Sequence, residues 1–566
     1  MKIKQLLYKH AEWLLTLAFG VAVFLFWRYR YPFALTYQEQ FQLFLFDGEY
    51  LMERLREPGG VARYVAEFLV QFYNHVTLGA VILALLLMLV QQLTWSLMKS
   101  CSHTSPLTSH YTLSFIPSVM LWYSLGDESV LLTYVVALVM ALGMMVVWTK
   151  KMKGGRIVQG VAALVVIPIA YWLTGPMVLL VALWVFPLSI IYALALILLS
   201  AHFLPFPTMR VMCGISYYRF PVTLPYLLMV IPVVTYVIVR FAHRIPKTKS
   251  WVSVAEVVTL IGLVGFVDKG FNAKKYELLE YDYLVRLNDW RSIIAKAEKH
   301  APDLPMSVGA TNLALAMTNQ LGERAFDFFQ RGREGLLPRF ERNFTTAQLT
   351  GEIYFHLGLI NTAQRFAFES MEALPNYNKS ARSVKRLAET NLINGQYEVA
   401  RKYLKMLQKT IFYRPWAQRM MALLGDEKAI DEHPLYGWLR KARIQDDFLF
   451  SEDELDKICG QLFLHNQQNQ MAVQYLLMAP LLDKNIQNFM TYAQVVQSSI
   501  NYNPRACQEA IAFAFMQQRQ QPPQGVVSPM VLQRMNEFAR VYSGAKNSPE
   551  LMRFKNTVWY YLTAGK

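Results

Sequence analysis

The chain has 566 residues, of which 54% are hydrophobic and 17% charged, with a net charge of +16 and a mean hydropathy of +0.21. Soluble chains carry about 45–50% apolar residues, so this composition excludes a wholly soluble globular enzyme, and equally a disordered chain. The positive surplus sits beside apolar runs, as in Lys150, Lys151, Lys153 and Arg156 or Arg240, Arg244, Lys247 and Lys249, which reads as membrane orientation and not as a nucleic-acid footprint.

The charges divide the chain. Residues 1–269 hold 20 Lys and Arg, 11 Asp and Glu and nearly all the long apolar runs, and the remaining 36 and 29 fall in 270–566. The first half reads as a transmembrane helical domain and the second as a soluble helical one. Trp13 to Trp27 is almost continuously apolar and runs into Arg28–Tyr29–Arg30 without a small-residue cleavage site, so it reads as an uncleaved first span with Lys2, Lys4 and Lys9 on the inside.

Further apolar segments follow near 78–98, 111–125, 129–149, 157–174, 177–203, 224–241 and 252–267. A span needs about 20 apolar residues, and several of these are shorter. The run 177–203 contains Pro187 and reads as one kinked helix or two short ones. Eight spans would leave the basic loop Arg240–Lys249 outside. Nine put it inside and the second half outside, in keeping with the positive-inside rule. The expectation is a polytopic bundle of 8–9 spans with a periplasmic soluble half.

The outer loop 31–77 carries two amphipathic helices around Pro58–Gly59–Gly60, the first less regular and crowding Phe41, Leu43, Phe44, Leu45 and Phe46 beside Asp47, Glu49 and Glu53. In the second, Val61, Tyr64, Val65, Phe68, Leu69 and Phe72 form one apolar stripe at helical spacing, and Arg63, Glu67 and Gln71 lie off it. Such helices lie in the membrane interface or dock on the bundle.

From about 273 the pattern is helix after helix. In GEIYFHLGLINTAQRFAFESMEALP, Gly351, Tyr354, Gly358, Ala363 and Pro375 occupy the small, aromatic, turn, small and helix-stop positions of a helical hairpin, and Ala388, Gly395 and Ala400 repeat them 37 residues later. An earlier unit places Ala325 38 residues before Ala363, and a weaker pair lies at 276–300. These slots resemble the tetratricopeptide repeat, which implies an α-solenoid over about 273–412, continued by helices to 563, and a groove for a partner protein. A plain helical bundle and a packing role against the membrane half are the alternatives.

Most motifs of catalysis are missing: no P-loop, dinucleotide fingerprint, H-E-x-x-H or nucleophile elbow occurs. Lone histidines such as His110 and His202 read as packed or interfacial, and Gln91 and Gln92 as links between spans. Cys101, Cys213, Cys459 and Cys507 stand apart from one another and read as small buried hydrophobes. What remains is the acid set of the first loop, Glu39, Asp47, Glu49 and Glu53, with Arg54, Arg56 and Arg63 nearby. Carboxylates at a membrane interface could bind a divalent cation such as Mg or Mn or accept a proton, and the arginines could engage phosphate oxygens. The same charges also suit the wet faces of two interfacial helices.

The blocks EQFQLFLFDGEYL, EPGGVARYVAEFLVQFY and RLAETNLINGQYEVARKYL resemble a family of polytopic membrane proteins of Bacteroidota, which implies a Gram-negative inner membrane. The first span followed by an acidic, helical outer loop resembles the GT-C class of lipid-linked glycosyltransferases, which places a catalytic or metal-binding acid in that loop. On this resemblance Asp47, Glu49 and Glu39 are the catalytic candidates, Asp47 and Glu49 the metal ligands, and Arg54 and Arg63 hold the phosphate of a polyprenyl-linked sugar. Asp47–Gly48–Glu49 only approximates the D-x-D of the class. Two functions are expected on these grounds: a glycosyltransferase, or a non-catalytic membrane scaffold whose helical repeats recruit a partner protein in envelope assembly.

Overall fold

The computed structural model describes residues 2–101, 108–152, 155–220, 224–244, 250–339, 341, 343–375, 378–444, 454–544 and 549–563, and these are all-helical, with no strand among them. Lys153, Lys247 and Lys249 of the basic loops lie outside the described residues, and so do the side chains of Lys2, Lys4, Lys9 and Arg156. Two compact units result. The first comprises residues 1–276 together with Leu374–Ala381 and Met406–Pro415, and the second comprises Glu277–Ala373, Arg382–Lys405 and Trp416–Lys566. The boundary read at 269/270 thus lies inside the first unit. Phe271 stacks on Tyr31 with ring centroids 3.8 Å apart, and Tyr276 packs edge-on against the same ring.

The first unit runs α1 (Lys2–Leu25), α2 (Pro32–Glu39), α3 (Gly48–Leu55), α4 (Gly60–Val70), α5 (Val76–Cys101), α6 (Ile116–Ser124), α7 (Leu132–Lys151), α8 (Arg156–Thr174), α9 (Val178–Val185), α10 (Ser189–Phe203), α11 (Thr208–Cys213), α12 (Tyr226–Phe241) and α13 (Ser250–Phe266). Among the described residues, four stretches are long and apolar enough to cross a membrane: Glu12–Arg30, Val76–Cys101, Leu132–Lys151 and Ile157–Val185. That set is compatible with a membrane protein. It is smaller than the eight or nine runs visible in the sequence because the other runs form short or broken helices. Residues 111–125 split into a 3-10 stretch and the nine-residue α6. The run 177–203 breaks at Phe186–Leu188 into α9 and α10, as Pro187 suggested. At 1.5 Å per residue, the 16 residues of α12 reach only about 24 Å.

Large apolar side chains point away from the protein along α1, α5, α8, α10 and α12: Leu14, Leu85, Val165, Leu199 and Val233 are each more than half exposed. Inside, Gln91 and Gln92 tie α5 to its neighbours. The Thr16 hydroxyl donates to Gln91 Oε1 at 3.1 Å, Gln91 Nε2 donates to Ser114 Oγ at 2.8 Å, and Gln92 Nε2 donates to the Tyr111 hydroxyl at 3.1 Å.

The second unit is a series of helical hairpins. At Asn288, Asn319, Gly358, Gly395, Lys484 and Arg519 the chain enters the left-handed region, and the next residue's N–H returns to the carbonyl five residues back. This is the Schellman ending of a helix, here used six times to reverse the chain. In the hairpin of α14 (Phe344–Leu357) and α15 (Ile360–Glu372), Ala363 is fully buried and Tyr354 stacks on Phe366. A Cβ on Gly351 would stand 3.3 Å from Phe366 Cβ, which is why a small residue sits there. The unit expected around Ala325 is incomplete. Its second helix stops at Arg324 in a short 3-10 turn, and residues 328–339 are irregular where Gly332 adopts φ +64°.

Candidate functional site

The turn Glu57–Pro58–Gly59–Gly60 sets the geometry of the first loop. Gly59 has φ +76°, and its N–H donates to Trp172 O at 3.0 Å, at the end of α8. A Cβ on Gly60 would stand 1.9 Å from Arg54 O, so only glycine lets α3 and α4 meet there.

This turn aims the charged face of α4 inward. Ala62, Arg63, Ala66, Glu67 and Val70 are buried, whereas the apolar stripe Val61, Tyr64, Val65, Phe68 and Leu69 is only partly covered. The expectation of a wet polar face is therefore corrected for Arg63 and Glu67. The two alanines let α4 pack closely on α7 and α8, and the charges go in with them because they are paired.

Glu67, with no exposed surface, is the centre of the cluster. Its Oε2 accepts from Arg54 Nε at 2.8 Å and from the Tyr50 hydroxyl, and its Oε1 accepts from Arg63 Nε at 2.9 Å. Burial alone would raise its carboxyl, but Arg63 and Arg54 pull it below the usual carboxylate range. Arg63 uses its remaining donors on Glu57 Oε2 at 2.7 Å and on Asn378 Oδ1 at 2.9 Å. Arg54 lies over the Tyr50 ring and reaches Glu53 at 3.2 Å. Arg54 and Arg63, expected to hold phosphate, are thus both committed to Glu67.

The acids are placed separately. Asp47 begins α3 and forms an ion pair with Lys409 at 2.5 Å, whose hydrogen bond keeps the Asp47 carboxyl below its ordinary value. Glu39 is buried and accepts from the Tyr413 hydroxyl at 2.8 Å and from Gln40. Glu49 and Glu53 are exposed. Between Glu39 and Asp47 the chain is extended: Leu43 N–H donates to Lys379 O at 3.0 Å and Phe46 N–H to Lys409 O at 2.7 Å. Phe72 and His75 both meet the Phe412 ring. The loop is thus a cradle for two short links, 374–381 and 406–415, contributed by the other half of the sequence.

Among the described residues no three His, Cys, Asp or Glu side chains come together as a metal site. Asp47 and Glu49 are joined by no third such ligand among the described residues, and the Asp47 Oδ2 already holds the Lys409 ammonium. These residues do not fit a resident Mg or Mn. The sequence reading missed Glu67 as the hub and missed Asn378, Lys409 and Tyr413 altogether. Arg63–Glu67 was visible as an i,i+4 pair, whereas the other three are more than 300 residues away.

No curated protein and no solved structure matches the chain. The sequence model of a family of unknown function, DUF6057, matches residues 7–565, and the chain belongs to that family.

Proposed function

We propose that this chain is a membrane-embedded scaffold. In this reading it is a polytopic protein of a bacterial inner membrane with a tetratricopeptide-like array on the periplasmic side that recruits a partner protein in envelope assembly. The observation that carries the reading is the use made of the first loop. Arg54, Arg63, Glu57 and Glu67 are spent on holding the loop together, and Arg63, Glu39 and Asp47 on seating the links 374–381 and 406–415. That is the construction of a mount, and it commits groups that chemistry would need free. The recurrence of one hairpin turn and the 37-residue spacing of Gly358 and Gly395 support the repeat reading. The second unit also has an open cavity of about 710 Å³ lined in part by Arg331, by the ion pairs Arg333–Asp483 and Arg339–Glu334, and by Tyr561, a charged surface suited to a partner.

Purification of the tagged full-length chain from its native membrane tests this. A stoichiometric partner that is lost when Arg331 and Arg339 are both changed to Glu supports the scaffold, and a chain that always purifies alone overturns it.

Glycosyl transfer from a polyprenyl-phosphate donor is the second reading. It rests on Asp47–Gly48–Glu49, where Glu49 is exposed at the start of α3 and Asp47 is partly so. Envelope glycans unchanged by Asp47→Ala with Glu49→Ala, at normal protein level, would reject it.

A further inference from the structure

Arg54 and Arg63 share Glu67, and Arg63 also holds Glu57. Another buried guanidinium, Arg210 on α11, is only 7% exposed, and among the described residues no carboxylate stands within ion-pair distance of it. Its Nη2 donates to Ile215 O at 3.1 Å, its Cζ lies 5.7 Å from the Phe206 ring, and its Nε has no partner. The charges it feels are Arg63, which repels it, and Glu57, which Arg63 already holds; burial and Arg63 together depress its basicity. A buried cation without a counter-charge costs several kcal/mol and is rarely kept without a use. A planar guanidinium with a free N–H edge is suited to the oxygens of a phosphate group. The surroundings are also lopsided: Phe203, Met209 and Met212, on either side of Arg210 in the sequence, are exposed apolar residues.

We propose that Arg210 is the receptor for a phosphate-class oxyanion, beside the end of α10. The anion would give Arg210 an ion-pair partner, and the exposed Phe203, Met209 and Met212 suit a phosphate that carries acyl or prenyl chains. This inference is independent of the scaffold reading.

The test uses the full-length chain, delipidated in a neutral detergent. Arg210→Met keeps the volume and removes the charge. In anion-free buffer it is expected to melt above wild type, because an unpaired buried cation has gone. With the anion present the order reverses. Phosphatidylglycerol, phosphatidylcholine and inorganic phosphate are added separately, and bound lipid is read by native mass spectrometry. At least about tenfold preferential loss of phosphatidylglycerol from Arg210→Met identifies a lipid phosphate. Stabilisation of wild type alone by inorganic phosphate identifies a free anion. Arg210→Lys, which keeps the charge without the fork, is expected to retain part of either effect. The proposal is overturned if Arg210→Met melts below wild type under every condition, or if both proteins respond equally to all three additions.

Discussion

Each unit buries a glutamate between two arginines, and the two clusters are built differently. In the second unit Glu352 accepts from Arg386 Nη2 at 2.6 Å and Arg382 Nη2 at 3.3 Å. Asp282 takes Arg382 at 2.8 Å and Glu389 takes Arg386 at 3.0 Å, so three carboxylates face two guanidiniums. All but Asp282 lie on two helices of the repeat series, and the cluster is over-supplied with acid. In the first unit one fully buried carboxylate, Glu67, serves Arg54 and Arg63; their other carboxylates, Glu53 and Glu57, are 57% and 19% exposed, and Arg63 also reaches the neutral amide of Asn378, more than 300 residues away. Redundancy marks a network that only has to hold helices together. A single hub joined to a distant link marks one that fixes how two parts of the chain meet.

The largest effect is therefore expected at the hub. Glu67→Gln removes the fully buried carboxylate that both guanidiniums hold, leaving them only the more exposed Glu53 and Glu57, and should cost about 3–5 kcal/mol, read as thermal unfolding of the detergent-solubilised chain. An unchanged melting temperature would mean that the cluster is hydrated and not buried. Glu352→Gln is expected to cost less, about 2–3 kcal/mol, because Asp282 and Glu389 remain to pair the arginines. Equal losses at the two sites would erase the distinction drawn between them. Gly60→Ala places a methyl against the Arg54 carbonyl and should cost about 1–3 kcal/mol while leaving the second unit's protection from hydrogen exchange intact.

Acidity sharpens the comparison within the second unit. Arg386 and Arg382 overcome the effect of burial and pull the Glu352 carboxyl from its ordinary 4.5 to about 2. Its folded value lies below its unfolded one, so its stabilisation is present above pH 4.5 and is lost as pH falls from 4.5 toward 2. Glu509 behaves in the opposite sense. Burial pushes it up to about 7, so the stability it gives when protonated is lost as pH rises from 4.5 through 7. Glu509→Gln should leave stability near pH 5 little changed and raise it at pH 8, and a melting curve lowered at pH 8 would contradict this. The smallest effect is expected for Asp47→Asn, whose ion pair with Lys409 is open to water: a slight, salt-screened loss with the fold intact.

Much of the fold was legible. The turn glycines Gly358 and Gly395 and the buried Ala363, Ala388 and Ala400 fall where helical hairpins need them, because close helix crossings tolerate only small side chains. Apolar runs were legible as helices but not as spans, since Pro187 and the 3-10 stretch before α6 shorten them in ways that hydropathy does not register. In the first loop α4 stands where its apolar stripe predicted, with its charged face reversed, whereas Phe41–Phe46, expected in the first helix, are non-helical chain ahead of α3. An apolar stripe defines a buried face only when the polar residues opposite it lack partners, and Arg63 and Glu67 find theirs on α3 and in a link far along the chain.

The sequence by itself determined the helical class, the division between an apolar and a polar half, and the pairing of helices by short turns, because these follow from hydrophobic patterning and local backbone preference. Only the tertiary structure decided which charges are buried, which acids hold Lys409 and Tyr413, and that the buried Arg210 Nε is left without a partner. The free energy of a charge depends on its distance to other charges and to water, and chain separation does not encode either distance.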